Sequence, residues 1–233
     1  MKRAPAIFIG HGSPMNAIEN NTFSHRWAEI GREIARPSAI LSVSAHWFTD
    51  GTRVSNVLTN HTIHDMYGFP EELYRVRYDA PGAPDIAAEA LALLDGHAVA
   101  DGTWGLDHGT WSVLRHLYPE ADVPVFQVSV NAKAALSEHL TLGQRLAPLR
   151  EKGVMILGSG NVVHHLGMVD WQTSGGFAWA DSFDHAVREA VLAGAFPSLA
   201  QPNDLSRWAR LAIPAPDHYA PLLAVLGAVA PEE

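Results

Sequence analysis

The chain has 233 residues, of which 47% are hydrophobic and 18% are charged. This balance is typical of one globular domain with a sizeable core, spanning residues 1–233. The formal net charge of -9 argues against nucleic acid or an anionic membrane as the main partner, because both bind positive surfaces. There is no cysteine, which excludes disulfides, thiolate zinc sites and a cysteine nucleophile.

The N-terminus carries only a short apolar run, ending in Ile9. A secretory signal needs an apolar stretch of roughly 7–15 residues and a membrane-spanning helix about 20. We therefore expect a cytoplasmic protein that does not enter a membrane.

Short apolar runs rich in valine and isoleucine alternate with helical patterns along the chain. The predicted strands are Ala6–Gly10, Ala39–Trp47, Arg53–Leu58, Val123–Val130 and Val154–Gly158. The predicted helices are Ser24–Ala35, Pro84–Leu94, Thr110–Leu117, Ala132–Arg150, Phe177–Ala193 and His218–Leu226. This alternation predicts an α/β fold: one three-layer domain with a central, mainly parallel or mixed sheet flanked by helices.

Two segments of the chain allow more detailed predictions. The proline-rich stretch Asn60–Pro84 contains one strand-like run, Leu73–Tyr78, and is predicted to be an ordered excursion beside the functional site. Asp217 is a candidate N-cap for the last helix, since aspartate is preferred there.

Histidine is the residue type that stands out, with 13 copies in the chain. Three predicted strands lead directly or within a few residues into His11, into His46, and into His164 and His165. Ligands of open α/β sheets bind beyond the carboxyl ends of the strands. A histidine at a strand end often only satisfies a loop carbonyl, but three converging runs favour a shared site.

Other histidines admit two interpretations. His218, at the start of the last helix, is either a fourth member of the site or part of a cap. His108 lies in a glycine-punctuated loop whose Asp107 or Thr110 could simply cap the following helix. His61 and His64 have a ligand-like spacing, although a solvated loop or pocket rim is the better interpretation for them.

Imidazole ligands without thiolates suit zinc, iron, copper or nickel. A catalytic site keeps one coordination position open, so three protein ligands are expected, and a fourth histidine could act as a general acid or base. The chain lacks the Gly-x-Ser-x-Gly, Walker, His-Glu-x-x-His and Rossmann motifs.

Six motifs occur in order along nearly the whole chain. They are Ile9–Pro14, Ser42–Trp47, Thr62–Pro70, Gly105–Trp111, Gly158–His164 and His218–Leu223. Together they resemble the class III extradiol ring-cleavage dioxygenases of the LigB-like superfamily, and specifically the DOPA 4,5-dioxygenase-like branch.

The resemblance implies a role for each matching histidine. His11, His46 and His218 match the metal ligands, and His164 matches the acid/base histidine, which some descriptions of the branch also place at the metal. His108 matches a pocket histidine that contacts substrate oxygen, for which we expect a donated hydrogen bond. Two further residues are expected to bind substrate: Tyr67, and His165 at a position where relatives carry asparagine.

The implied reaction is the cleavage of a catechol ring with O2, so the expected partners are a small aromatic diol and O2. One divalent metal is implied, with Fe(II) expected for activity and Zn(II) possible as the bound ion. Aromatic side chains could line the pocket, with core packing as the alternative: Trp47, Phe48, Tyr67, Phe69 and Trp111. Two rival functions are a zinc-dependent hydrolase using the same site and a Memo-like non-enzymatic binding protein.

Overall fold

A computed structural model describes residues 3–170, 172, 175–230 and 233. The strands are β1 (Ala6–Gly10), β2 (Ala39–Ser44), β3 (Phe48–Thr49), β4 (Thr52–Ser55), β5 (Ala98–Asp101), β6 (Val125–Gln127), β7 (Val130–Asn131) and β8 (Val154–Gly160). The helices are α1 (Thr22–Glu33), α2 (Glu71–Tyr74), α3 (Pro84–Leu94), α4 (His108–Leu117), α5 (Leu136–Leu146), α6 (Ala178–Leu192), α7 (Phe196–Leu199), α8 (Pro202–Leu205), α9 (Ala209–Ala212) and α10 (Ala220–Gly227). Short 3-10 segments cover Pro14–Ala17, Ala147–Lys152 and Leu166–Met168.

The central sheet has four strands in the order β1-β8-β2-β6. All three pairings are parallel, with Ile7 opposite Leu157 and Leu41 opposite Ile156. Two small parallel pairs, β3 with β7 and β4 with β5, extend the architecture. The predicted α/β class with a mainly parallel sheet is confirmed.

Both faces of the sheet are buried, because successive side chains of a strand point to opposite sides. On β2, Leu41 and Val43 pack into one core with α3, α5 and α10, whereas Ile40 packs into the other with α1 and α4. Every residue of β2 and β8 is buried. Strands covered on both faces read as continuous apolar runs, which is why the sequence revealed them.

Helices α5 and α10 pack at unusually short range through two glycines. A Cβ atom on Gly143 would lie 2.0 Å from the carbonyl oxygen of Ala224, and one on Gly227 would lie 1.9 Å from that of Leu140. Neither position has room for a side chain, so the glycines set the distance between the helices. Helix α10 in turn packs on β8 and β1, beneath the candidate site.

We expect Gly143→Ala to destabilise the protein by about 1–3 kcal/mol through overpacking. A loss of stability would be informative, because replacing glycine by alanine in a helix interior ordinarily raises stability by about 1 kcal/mol. Urea denaturation measures the change. Gly102→Ala is the control, since a Cβ there meets no atom within 4 Å, and equal effects of the two substitutions would contradict the packing argument.

The structure corrects two details of the sequence-based assignment. Leu73–Tyr78 is not a strand: helix α2 covers Glu71–Tyr74, and the buried side chains of Leu73, Val76 and Tyr78 anchor the irregular chain that follows. Asp217 does not cap the last helix, which begins at Ala220 with Tyr219 at the N-cap. The Asp217 carboxylate instead lies beside the ring of His218.

Among the residues that the structure describes, no helix has both the length and the apolar character needed to cross a bilayer.

Candidate metal centre

Four histidines reach one edge of the central sheet from three strands and one helix. His11 directly follows β1, His46 lies two residues after β2, and His164 lies four residues after β8. His218 precedes α10, and its carbonyl oxygen accepts a hydrogen bond from Asn161 N at 2.9 Å. The structure thus brings three of the predicted strand-end histidines, His11, His46 and His164, together with His218.

Three of these side chains converge on one point. One ligand nitrogen from each of His11, His46 and His218 lies within 4.8 Å of the others. The Nε2 atoms of His11 and His46 are 3.1 Å apart. His11 and His218 are only 2% and 5% exposed, so their rings cannot turn freely towards water.

Hydrogen bonds determine which nitrogen of His11 carries its proton. Ser159 donates its single hydroxyl proton to the carbonyl oxygen of Gly109 at 2.5 Å, because a carbonyl can only accept. The Ser159 oxygen, 2.9 Å from His11 Nδ1, must therefore accept a proton from that nitrogen. In neutral His11 the Nε2 atom consequently bears the lone pair.

Nearby carboxylates favour the same tautomer for the other two rings. Asp65 Oδ2 lies 3.2 Å from His46 Nδ1, and Asp217 Oδ2 lies 3.0 Å from His218 Nδ1. The negative charge of each carboxylate favours a proton on the adjacent Nδ1, which leaves each Nε2 available to a metal. Ligating histidines commonly hold their second nitrogen in this way.

This arrangement fits a divalent metal. The lone pairs of His11 and His46 face each other across 3.1 Å, a contact that is repulsive until a cation lies between them. Two negative carboxylates stand directly behind the ligands and complement the positive charge of a bound ion. The donor set is three neutral imidazoles, which suits a first-row transition metal such as iron or zinc.

His164 lies beside this trio rather than within it. Its ring stacks on that of His218, with 3.4 Å between centroids and 11° between planes, and its backbone N–H donates to Ala212 O. Burial, with the neighbouring charge of His218, lowers the pKa of His164 to about 4. The ring is therefore neutral at physiological pH and able to accept a proton.

His108 is the fifth histidine of the site. It is the first residue of α4, whose N-cap Asp107 accepts hydrogen bonds from Thr110 N and from Ser44 Oγ. The His108 ring lies 3.8 Å from that of His46, centroid to centroid. Gly109 leaves room for this packing, because a Cβ there would lie 2.6 Å from Ser44 Oγ and 2.9 Å from His46 Cδ2.

Burial depresses the basicity of His46 and His11 as well. It lowers the pKa of His46 to about 3, with the charge of His108 as the next cause. Burial, followed by the charge of His46, likewise lowers the pKa of His11. For Asp65, burial acts to raise the pKa, but the hydrogen bond and charge of His108 outweigh it, so the pKa is lowered and the carboxylate stays ionised.

We expect the metal-free protein to lose stability as the pH falls from about 6.5 towards about 4. Unfolded histidines take up protons near pH 6.5, whereas His46 and His164 in the folded state stay neutral down to about 3 and about 4. The unfolded state then binds more protons, so stability rises with pH. Urea denaturation across this range in the presence of chelator measures the loss, which His164→Phe should reduce; a flat profile would contradict the burial of neutral rings.

The substrate-binding roles of Tyr67 and His165 stay predictions. Tyr67 is 91% exposed, on the loop that carries Asp65. His165 is half-buried, and its Nδ1 lies 2.9 Å from Leu211 O, which ties the ring to the α9 segment. His64 Nε2 lies 3.0 Å from Val76 O, and its placement at a pocket rim stays a prediction.

The predicted aromatic lining divides between the core and a cleft. Trp111 is fully buried and donates to Ile63 O, so it belongs to the core. Trp47 and Phe48 instead line a cleft of about 260 Å³ that also includes His46 and Trp104.

Sequence reasoning missed the residues that hold the histidines. Asp65 and Ser159 lie inside two of the quoted motifs but gave no chemical signal by themselves. Asp217 was interpreted only as a helix cap. Ser159 lies 148 positions from His11 and Asp65 lies 43 positions from His108, so only the tertiary structure reveals these two pairings.

Comparison with known proteins identifies the family of this chain. Residues 5–232 match the family described as the catalytic LigB subunit of aromatic ring-opening dioxygenase. The chain belongs to this family. It is an enzyme of the extradiol ring-cleavage dioxygenase class, as the resemblance predicted.

The similarity to known relatives covers nearly the whole chain. It is 45% identical to a 4,5-DOPA dioxygenase extradiol of Escherichia coli (strain K12), over 97% of this chain and 85% of the relative. It is 40% identical to a protein of the same name from Beta vulgaris, over 95% and 85%. A crystal structure of an uncharacterized Escherichia coli K12 protein superimposes with a TM-score of 0.84 at 40% identity, covering 97% of this chain and 89% of that one.

Proposed function

We propose that this dioxygenase cleaves the ring of a catechol and depends on one divalent metal, Fe(II) for activity, held by His11, His46 and His218. The observation that carries the proposal is the convergence of these imidazoles, with a hydroxyl or a carboxylate beside each Nδ1 so that each Nε2 is available to the metal. Three protein ligands leave coordination positions open for small molecules, as a catalytic site requires.

Bound Fe(II) would lower the pKa of a coordinated phenol and mediate electron transfer from the diol to O2. The chain's own residues supply the remaining chemistry. His164 is neutral and stacks on a ligand ring, so it can accept a phenolic proton and later return it. His108 lies against His46, where its Nε2 can contact a substrate oxygen.

The cleft beside His46 supports an aromatic substrate. It is lined by the indole rings of Trp47 and Trp104, which are parallel within 1°. His11 and His218, two of the three proposed metal ligands, are almost fully buried, which excludes water from their side of the site. DOPA belongs in the first substrate panel, because the relatives described above are named for it.

The test is anaerobic reconstitution of metal-free protein with Fe(II), followed by a panel of catechols in air-saturated buffer. Uptake of one O2 per catechol with a yellow ring-opened product is the expected result. The control is the same protein loaded with Zn(II), which should bind yet consume no O2. Hydrolysis of esters or amides by the zinc form, with no O2 uptake by the iron form, would overturn the proposal.

A further inference from the structure

One carboxylate joins two histidines to which the proposed function gives different tasks. Asp65 Oδ2 lies 2.9 Å from His108 Nδ1 and 3.2 Å from His46 Nδ1. Asp65 Oδ1 accepts a hydrogen bond from the backbone N–H of His108 at 2.8 Å. Both carboxylate oxygens are thus engaged, and the Asp65 side chain is only 14% exposed.

The loop that carries Asp65 is itself firmly held. Ile63 N donates to Leu106 O at 2.7 Å, and the indole N–H of Trp111 donates to Ile63 O at 2.8 Å. Asp79 accepts hydrogen bonds from the backbone N–H and the hydroxyl of Thr62. The carboxylate therefore approaches the two rings from a fixed direction.

We propose that Asp65 is a positioning residue that sets the tautomer and ring orientation of His108 and His46 together. The inference rests on the proposed function for its catalytic consequence, although the tautomer itself is a property of the metal-free protein. A positioning carboxylate behind a histidine is a general device for ligands and for proton-transfer groups alike. Here Asp65 Oδ2 lies beside both kinds of group: His46, a proposed metal ligand, and His108, a proposed contact of the substrate oxygen.

The consequence for His108 differs from the sequence-based expectation. Because Asp65 can only accept, neutral His108 keeps its proton on Nδ1, and its Nε2 atom presents a lone pair. His108 then accepts a hydrogen bond from a substrate hydroxyl instead of donating one. The site would then hold two acceptors for phenolic protons, His108 beside His46 and His164 beside His218.

The isosteric variant Asp65→Asn should reverse this arrangement. With the amide oxygen on the backbone N–H of His108, the amide nitrogen faces both Nδ1 atoms and donates to them. His108 must then move its proton to Nε2, so the site-facing nitrogen becomes a donor. An Asp-to-Asn exchange that produces the wrong histidine tautomer can lower kcat by about 10⁴-fold, and loss of a supporting carboxylate lowers metal affinity about 10–100-fold.

The experiment has readouts with and without turnover. Long-range ¹H–¹⁵N NMR of the metal-free protein reports the His108 tautomer, and competition with a chromophoric chelator reports Zn(II) affinity. We expect the Nδ1–H form in the wild type and the Nε2–H form in Asp65→Asn. In Asp65→Asn the Zn(II) affinity should fall about 10–100-fold, and kcat should fall by a larger factor than KM rises. Asp65→Glu, which keeps a carboxylate, should recover part of the Zn(II) affinity and part of kcat.

Asp79→Asn is the matched control. It weakens the same loop through Thr62, and the hydrogen bonds of Asp79 go to Thr62 rather than to a histidine of the site, so the substitution should change neither the tautomer nor the metal affinity. Equal effects of the two variants would reduce Asp65 to a structural role. An Nε2–H tautomer of His108 in the wild type would overturn the proposal even if no variant folds, and the NMR and Zn(II) results stand whether or not the protein cleaves catechols.

Discussion

Replacing His11 with alanine is expected to abolish metal binding and ring cleavage together. His11 contributes one of three converging nitrogens and is 2% exposed, so its loss leaves a buried gap where a ligand nitrogen stood. Losing only a supporting partner of a ligand costs about 10–100-fold in metal affinity, and losing the ligand itself should cost more. Metal content by mass spectrometry and O2 uptake measure both effects.

The control for this substitution is His185→Ala. His185 lies on the exposed face of α6, so its removal tests only the general effect of deleting an imidazole. It should retain full metal content and turnover. Stoichiometric metal in His11→Ala would mean that the ion is held elsewhere, for example by His164, Asp217 and His218, whose potential ligand atoms also lie within 4.8 Å of one another.

Replacing His164 should separate catalysis from metal binding. The ring stacks on His218 but does not belong to the converging trio, so its removal should spare the ion and lower kcat by about 10²–10⁴-fold, the usual contribution of a general acid or base. His164→Phe is the sharper variant, because it preserves an aromatic ring against His218 while removing both nitrogens. His164→Ala shows what loss of the stack adds.

The same two assays decide the outcome. Full metal content with low turnover in His164→Phe would assign His164 to proton transfer. Metal loss equal to that of His11→Ala would make His164 a ligand and remove the distinction between the two roles. Turnover at the wild-type rate would show that another group, with His108 as the first candidate, takes the phenolic proton.

The sequence predicted the sheet and one part of the site for the same physical reason. Strands β2 and β8 are buried on both faces, so they appear as apolar runs that end at Ser44 and Gly160. The polar residues that follow such runs in a parallel sheet must meet at one edge. His11, His46 and His164 could therefore be placed together from one-dimensional information.

Local sequence was a poorer guide where tertiary contacts replace periodicity. Leu73, Val76 and Tyr78 look like a strand, yet they are buried from a short helix and an irregular turn. Asp217 has the chemistry of an N-cap, but the neighbouring His218 ring takes its carboxylate and the helix begins three residues later, at Ala220.

By itself, the sequence determined the fold class, the histidines of the site and, through its ordered motifs, the family. Only the tertiary structure decided which nitrogen of each ring faces the centre, because the deciding partners come from elsewhere in the chain: Ser159 for His11 and Asp65 for both His46 and His108. Residue type specifies which atoms can donate or accept. The direction in which an imidazole presents its lone pair depends on the group behind it, and folding alone brings that group into place.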